Sequence, residues 1–175
     1  MIIETERLRL RPARPEDAEA LHGVFADPIA MAYWSTTPHE SLEQTREWVA
    51  AMIAGDGSGS GLDLVVEYEG RAIGKAGFWK PPEIGYILHP DHWGRGLARE
   101  ALAAVIRAGF ADLGLERVIA DVDPRNSASL RLLERLGFSR TGHGERTWHI
   151  GGRWCDSVYL TLTRSDAAAL NSTGV

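Results

Sequence analysis

The chain switches several times between strict alternation of apolar and polar residues and an apolar spacing of three to four. Alternation predicts strands, and the longer spacing predicts helices. Leu8-Arg9-Leu10-Arg11 alternates, and Pro12 ends it. Pro15-Glu16-Asp17 opens a helix, with proline in the first turn and acids at the positive end of the dipole. Ala18, Leu21, His22 and Phe25 share its face, and Asp27-Pro28 ends it or begins a second short helix. Tyr33 to Pro38 carries too little periodicity for a core element. Ser41 can cap the next helix, whose buried stripe is Leu42, Thr45, Trp48, Val49, Met52 and Ile53.

Gly55 to Gly61 has no means of packing and is expected to form a mobile loop. Leu62 to Tyr68, Glu69-Gly70 and Ala72 to Trp79 read as a hairpin. Ile84, Tyr86, Ile87 and Leu88 suit a pleated surface, and Pro90 stops that strand. From Leu97 the apolar positions 97, 98, 101, 102, 105, 106 and 110 fall at helical spacing, ended at Leu113-Gly114-Leu115. Arg117 to Val122 is the next strand, and a turn at Asp123-Pro124-Arg125-Asn126-Ser127 starts a helix with Leu130, Leu132, Leu133 and Leu136 on its apolar face. Thr141–Ile150 pairs with Trp154–Thr163 around Gly151-Gly152, and residues after Arg164 are expected to fray.

Composition narrows the function classes. A length of 175 residues suits one domain, spanning 1–175, with a real core. Nineteen basic against 24 acidic residues give a net charge of −5, which argues against a nucleic-acid-binding surface. No apolar run approaches the ~18 residues that a membrane span needs. Met1 to Arg7 lacks the charged-then-apolar order of a signal peptide. The single cysteine, Cys155, excludes an internal disulfide. A cytoplasmic protein with neither a nucleic-acid nor a membrane partner is the simplest expectation.

The most informative stretch joins the strand ending at Leu88 to the helix starting at Leu97. Its glycine pair, Gly94-Arg95-Gly96-Leu97-Ala98, opens a helix, where unpaired N–H groups and the positive dipole end meet. Such a loop can cradle a phosphate, with Arg95 and Arg99 adding charge; it can equally be a plain strand-to-helix turn. The dinucleotide fingerprint requires a third small residue where Arg99 stands, and the Walker loop requires a Gly-Lys-Ser/Thr that is absent.

Trp93-Gly94-Arg95-Gly96-Leu97-Ala98 resembles the R/Q-x-x-G-x-G/A signature of the GNAT superfamily of N-acetyltransferases, with Trp93 in the Arg/Gln position. Followed by Glu100-Ala101, it looks like the RimJ/RimL-type branch. Asn126-Ser127-Ala128-Ser129, with Leu133-Glu134-Arg135-Leu136-Gly137-Phe138, resembles the second motif of that branch. Glu4 to Ala18 resembles its start, and Arg153 to Tyr159 its final pattern, so the resemblance covers nearly the whole chain.

The resemblance implies an α/β (α+β) fold with a mixed, mostly antiparallel, seven-stranded sheet flanked by helices on both faces. It implies acetyl-CoA as co-substrate and an amine acceptor, either a protein N-terminal amine or a small amine. The amides of Gly94, Arg95, Gly96, Leu97 and Ala98, with Arg99 nearby, would hold the pyrophosphate. Backbone groups of Ile87 and Leu88 would meet the pantetheine arm where the fourth and fifth strands splay, one amide acting as an oxyanion donor. Asn126 would bond near the arm or the amine, or else cap its helix. The region of Tyr33 and Trp34 would border the acceptor cleft.

The chemistry requires a base, since amines are mostly charged at neutral pH. Glu83, at the start of the cleft strand, is the first choice, with Asp156 and Glu145 as alternatives. Ser129 matches the position that meets the departing thiolate, and Tyr159 is a weaker candidate. His89 and His92 lack a third ligand at metal spacing, so no metal is implied. Direct attack in a ternary complex is the expected mechanism. A non-catalytic acyl-CoA-binding sensor and a protein-interaction module are the rival readings, and the family often forms homodimers.

Overall fold

The protein is described by a computed structural model that covers residues 1–55 and 62–172. Its strands are β1 (Ile3–Glu4), β2 (Leu8–Arg11), β3 (Asp63–Tyr68), β4 (Arg71–Lys80), β5 (Glu83–Leu88), β6 (Arg117–Val122), β7 (Ser139–Ile150) and β8 (Arg153–Thr163). Its helices are α1 (Ala18–Phe25), α2 (Leu42–Ala54), α3 (Leu97–Ala111), α4 (Ser127–Arg135) and α5 (Arg164–Ser172). Among the described residues the eight strands form one sheet in the order β1-β2-β3-β4-β5-β6-β8-β7. Only β5 and β6 run parallel; the other neighbours are antiparallel.

The sheet has eight strands where seven were expected. The addition is β1, two residues that pair with Leu10 and Arg9 of β2. Two residues are too few to show a period. The segment from Arg164 also differs from expectation: Arg164–Ser172 forms α5 instead of fraying. Thr163 explains this, because its Oγ1 accepts the Asp166 N–H at 3.2 Å and donates to Asp166 Oδ2 at 2.6 Å, a reciprocal N-terminal cap. Residues 56–61 of the expected mobile loop lie outside the described residues. Among the described residues no helix is long and apolar enough to cross a membrane.

Strand alternation sorts the core into two layers. Leu64, Val66, Ile84, Leu88, Val118, Ala120 and Val122 pack with Leu97, Leu102 and Val105 of α3 and Leu130 and Leu133 of α4. Val65 and Ile87 point to the opposite face, where Leu21, Val24 and Phe25 of α1 and Val49 of α2 cover them. Helices therefore lie on both faces, and successive residues of β5 face different helix pairs.

Ser41 caps α2 as its position predicts, its Oγ accepting the Gln44 N–H at 3.2 Å. Ser41→Ala is expected to cost about 1 kcal/mol. The check is a fall of roughly 2–4 °C in thermal midpoint.

Candidate active site

Strand β5 pairs with β4 from Gly74–Leu88 to Lys80–Glu83, with one register shift between Phe78 and Lys80, and β6 keeps register with β8 over six pairs. Between them β5 and β6 share a single registered pair, Glu83–Ile119, closed by the Ile119 N–H donating to the Pro82 carbonyl at 3.0 Å. Beyond that point no ladder pair joins the two strands among the described residues. Each strand follows its antiparallel neighbour, and the sheet forks.

On the α1/α2 face, at the root of the fork, lies a cleft of about 940 Å³ lined by Glu83, Gly85, Asp121 and Asp123. Its walls include Trp34, Met52, Trp79 and Trp148. Glu83 and Asp121 flank the fork, and each accepts a hydrogen bond from a neutral indole. Trp79 Nε1 donates to Glu83 Oε1 at 3.1 Å, and Trp148 Nε1 to Asp121 Oδ2 at 2.9 Å. The other acids of the wall have different partners: Asp63 with Lys75 at 2.7 Å, Asp123 with Arg125 at 2.6 Å, and Asp156 accepting the Arg146 N–H at 2.8 Å. Burial pushes the Glu83 carboxyl above its ordinary value and the charge of Asp121 adds to this, while the Trp79 N–H and Lys80 oppose it. A carboxylate raised in this way is better matched to accepting a proton near neutrality.

The glycine loop stands at the far end of β5. Gly94 (φ +71°) and Gly96 (φ +78°) occupy the left-handed region, which admits glycine without strain. Trp93 Nε1 donates to the Leu88 carbonyl at 2.8 Å and ties the loop to β5. Arg7 braces it from the other side, donating to the Arg95 carbonyl at 2.9 Å and pairing with Glu100 at 2.7 Å. Glu100 also accepts from Thr5 Oγ1 and the Arg7 N–H. Burial pushes its carboxyl up, but these bonds outweigh burial and hold it below the ordinary range. Arg95 Nη2 donates to Tyr68 OH at 2.7 Å, so its charge lies over that ring, while Arg99 is exposed. Leu97, Ile87 and Leu88 are buried.

Ser129 and Asn126 lie on the α3/α4 side of the fork. Asn126 Oδ1 accepts the Ser129 N–H at 3.1 Å and so caps α4, the alternative role foreseen for it. Ser129 Oγ is 2.8 Å from Tyr86 OH, and that bond spans the fork from β5 to the segment following β6. The structure thus gathers Glu83 on one face and Ser129 with Asn126 on the other, with the loop beyond. Of the alternative residues, Asp156 lines the cleft, whereas Glu145 and Tyr159 are not among its lining residues. Among the described residues no group of three or more His, Cys, Asp or Glu is placed to hold a metal.

Asp121, Tyr86, Trp79 and Trp148 escaped sequence reasoning. The signal for Asp121 was present: Val118, Ala120 and Val122 alternate with Ile119, Asp121 and Asp123, so a second carboxylate had to share one face. Trp79 is displaced by a register shift between Phe78 and Lys80, which simple alternation does not reveal.

Comparison with known proteins places this architecture. A family model described as acetyltransferase (GNAT) domain matches residues 7–139. The uncharacterized N-acetyltransferase p20 of Bacillus licheniformis is 33% identical over 172 residues, covering 94% of this chain and 97% of its own. The crystal structure of a GNAT-family acetyltransferase from Bacillus anthracis superposes with a TM-score of 0.84 at 28% identity, covering 94% of this chain and 99% of that one. The spermidine N-acetyltransferase of Vibrio cholerae, solved in complex with CoA and spermine, gives a TM-score of 0.79 at 25% identity, with 94% and 99% covered.

Proposed function

This chain belongs to the GNAT acetyltransferase family and is an N-acetyltransferase, and from that premise we propose that it transfers the acetyl group of acetyl-CoA directly to a primary amine within a ternary complex. The observation that carries this reading is the fork between β5 and β6, with a glycine loop beyond the end of β5 and an acidic cleft on one face. The pyrophosphate of acetyl-CoA would sit on the amides from Gly94 to Ala98, and its arm would enter the fork beside Ile87 and Leu88. That a similar protein was solved with CoA supports this co-substrate.

The amine enters the cleft from the α1/α2 face as its ammonium ion. Glu83, directly or through water, takes one proton. The free lone pair attacks the thioester carbon, and charge on the oxygen is met by a backbone N–H of β5. The C–S bond then breaks with its electron pair going to sulfur, and the nitrogen gives up its second proton to water as the amide forms. Holding both reactants across one fork lowers the entropic part of the barrier by several kcal/mol. The acceptor class is a primary amine basic enough to arrive charged, whether a protein N-terminus or a small amine. The RimJ/RimL-type motifs favour the former, and the spermine held by the Vibrio cholerae relative favours the latter.

The test is release of free CoA thiol from acetyl-CoA in the presence of N-terminal peptides, polyamines and simple alkylamines. Amine-dependent release supports the reading. Saturable CoA binding with no release for any amine would favour a sensor instead. A further expectation concerns pH. The charge of Asp121 raises Glu83, and Glu83 must be ionised to act, so Asp121→Asn is expected to move the ascending limb of kcat/KM to lower pH. The profile for one amine, compared between wild type and variant, checks it.

A further inference from the structure

The hydroxyls of Tyr86 and Ser129 form an unusual pair at the fork. Tyr86 lies on β5 one residue from Gly85, so it points to the face opposite Glu83. Its OH reaches Ser129 Oγ at 2.8 Å across the opening. Ser129 is buried, and its backbone N–H is pinned to Asn126 at 3.1 Å, so the position of its hydroxyl is fixed by the start of α4. Two hydroxyls bring two protons, and their mutual bond uses one. The geometry admits either hydroxyl as donor; a phenol is the stronger acid of the two, which favours the arrangement in which Tyr86 donates and the serine proton is left over. Donation to Oγ also polarises the serine O–H, since linked hydrogen bonds strengthen one another.

We propose that Tyr86 is a positioning residue that polarises the Ser129 hydroxyl, which in turn donates a hydrogen bond to the thiolate leaving acetyl-CoA. This rests on the acetyl-transfer reading and specifies how the leaving group is handled on the side of the sheet away from Glu83. When the C–S bond breaks, its electron pair goes to sulfur and the Ser129 O–H points at the new anion. The proton stays on the hydroxyl pair. Burial pushes the Tyr86 hydroxyl above its ordinary value, with the Ser129 bond opposing, and a thiol titrates at about 8.5. The phenol therefore keeps its proton in the presence of a thiolate, and the thiolate takes its own from water. The pair contributes a hydrogen bond, not a proton.

Two measurements test this, one independent of turnover. Thiolate absorbance of CoA bound to the enzyme, followed against pH, reads the thiol directly. The bound thiol is expected to titrate below free CoA in wild type and to move up in Tyr86→Phe and in Ser129→Ala. In steady state, each variant is expected to lose about tenfold in kcat at unchanged affinity for acetyl-CoA, the loss of one hydrogen bond made only to the leaving thiolate. The double variant should be no worse than Ser129→Ala, because Tyr86 acts through Ser129. Additive losses, or a bound thiol that titrates alike in all three proteins, would overturn the proposal. Should Tyr86→Phe fold poorly, 3-fluorotyrosine at position 86, a stronger acid of nearly the same shape, is expected to move the titration of the bound thiol further down, and no movement would overturn the role of Tyr86. Failure of CoA to bind at all would overturn the acetyl-transfer reading instead, so the two failures are separable.

Discussion

Glu83→Gln is expected to lower kcat by a factor of about 10² to 10⁴ while CoA binds as before. Glutamine keeps the shape of the side chain and an oxygen that can accept the Trp79 N–H, now at 3.1 Å from Glu83. What it loses is the capacity to take a proton. The pH profile identifies the cause. In wild type the rate is expected to rise as Glu83 ionises, above its ordinary range because of burial and of Asp121. In the variant that limb disappears, and activity rises only as the amine loses its proton to solvent, so high pH should recover part of the rate. Unfolding is not a competing explanation. A carboxyl whose folded-state pKa is raised contributes stability below its unfolded pKa, and that contribution is lost as pH rises through the folded value. Neutral glutamine avoids this loss, so at pH 7 the variant should melt no lower than wild type. A variant with full activity and an unchanged profile would remove Glu83 from the mechanism and shift attention to Asp121, across the fork in the same cleft.

The pattern of apolar positions was enough to place β5, the loop and α3, because those segments combine strong periodicity with glycines at fixed offsets. The helix predicted from Leu97 begins at Leu97, and Leu97, Ala101, Leu102, Val105 and Ile106 are all buried. Site chemistry was legible only where a motif or a strand end drew attention to it. Glu83 was accessible to such reasoning because Pro81-Pro82 marks the start of its strand. Asp121 was not singled out, because an acid in the middle of a half-buried strand reads as a solvated position until the fork shows that β5 does not pair beside it. Tyr86 reads only as a strand position suited to a pleated surface: a tyrosine among Ile84, Ile87 and Leu88 gives no hint that its hydroxyl crosses to α4. Such contacts between elements far apart in sequence have no local signature. The brace of Arg7 and Glu100 on the glycine loop, 93 residues apart, belongs to the same class.

That brace bears on the second large effect, Gly96→Val, which is expected to weaken acetyl-CoA binding by about 30-fold or more. Gly96 sits at φ +78°, where a β-branched residue is strained by roughly 1–3 kcal/mol. The loop can relieve the strain only by rotating its peptide units, which turns the N–H groups of Leu97 and Ala98 away from a bound phosphate. The added Cβ also meets Arg7 Nη2 at 3.4 Å, and Arg7 is what holds the Arg95 carbonyl in place. Gly94→Ala makes the informative comparison. It shares the left-handed backbone, φ +71°, but no atom lies within 4 Å of its Cβ, so it should weaken binding less. Glu100→Gln leaves both glycines intact and loosens only the brace, so it separates loop conformation from loop chemistry. Calorimetric titration with CoA, with the rise in thermal midpoint at saturating CoA as a second readout, measures all three. If folded Gly96→Val bound CoA as wild type does, the amides from Gly94 to Ala98 could not be its anchor. The pyrophosphate would then have to be held by side chains such as Arg99, and binding would fall steeply with salt instead of with backbone geometry.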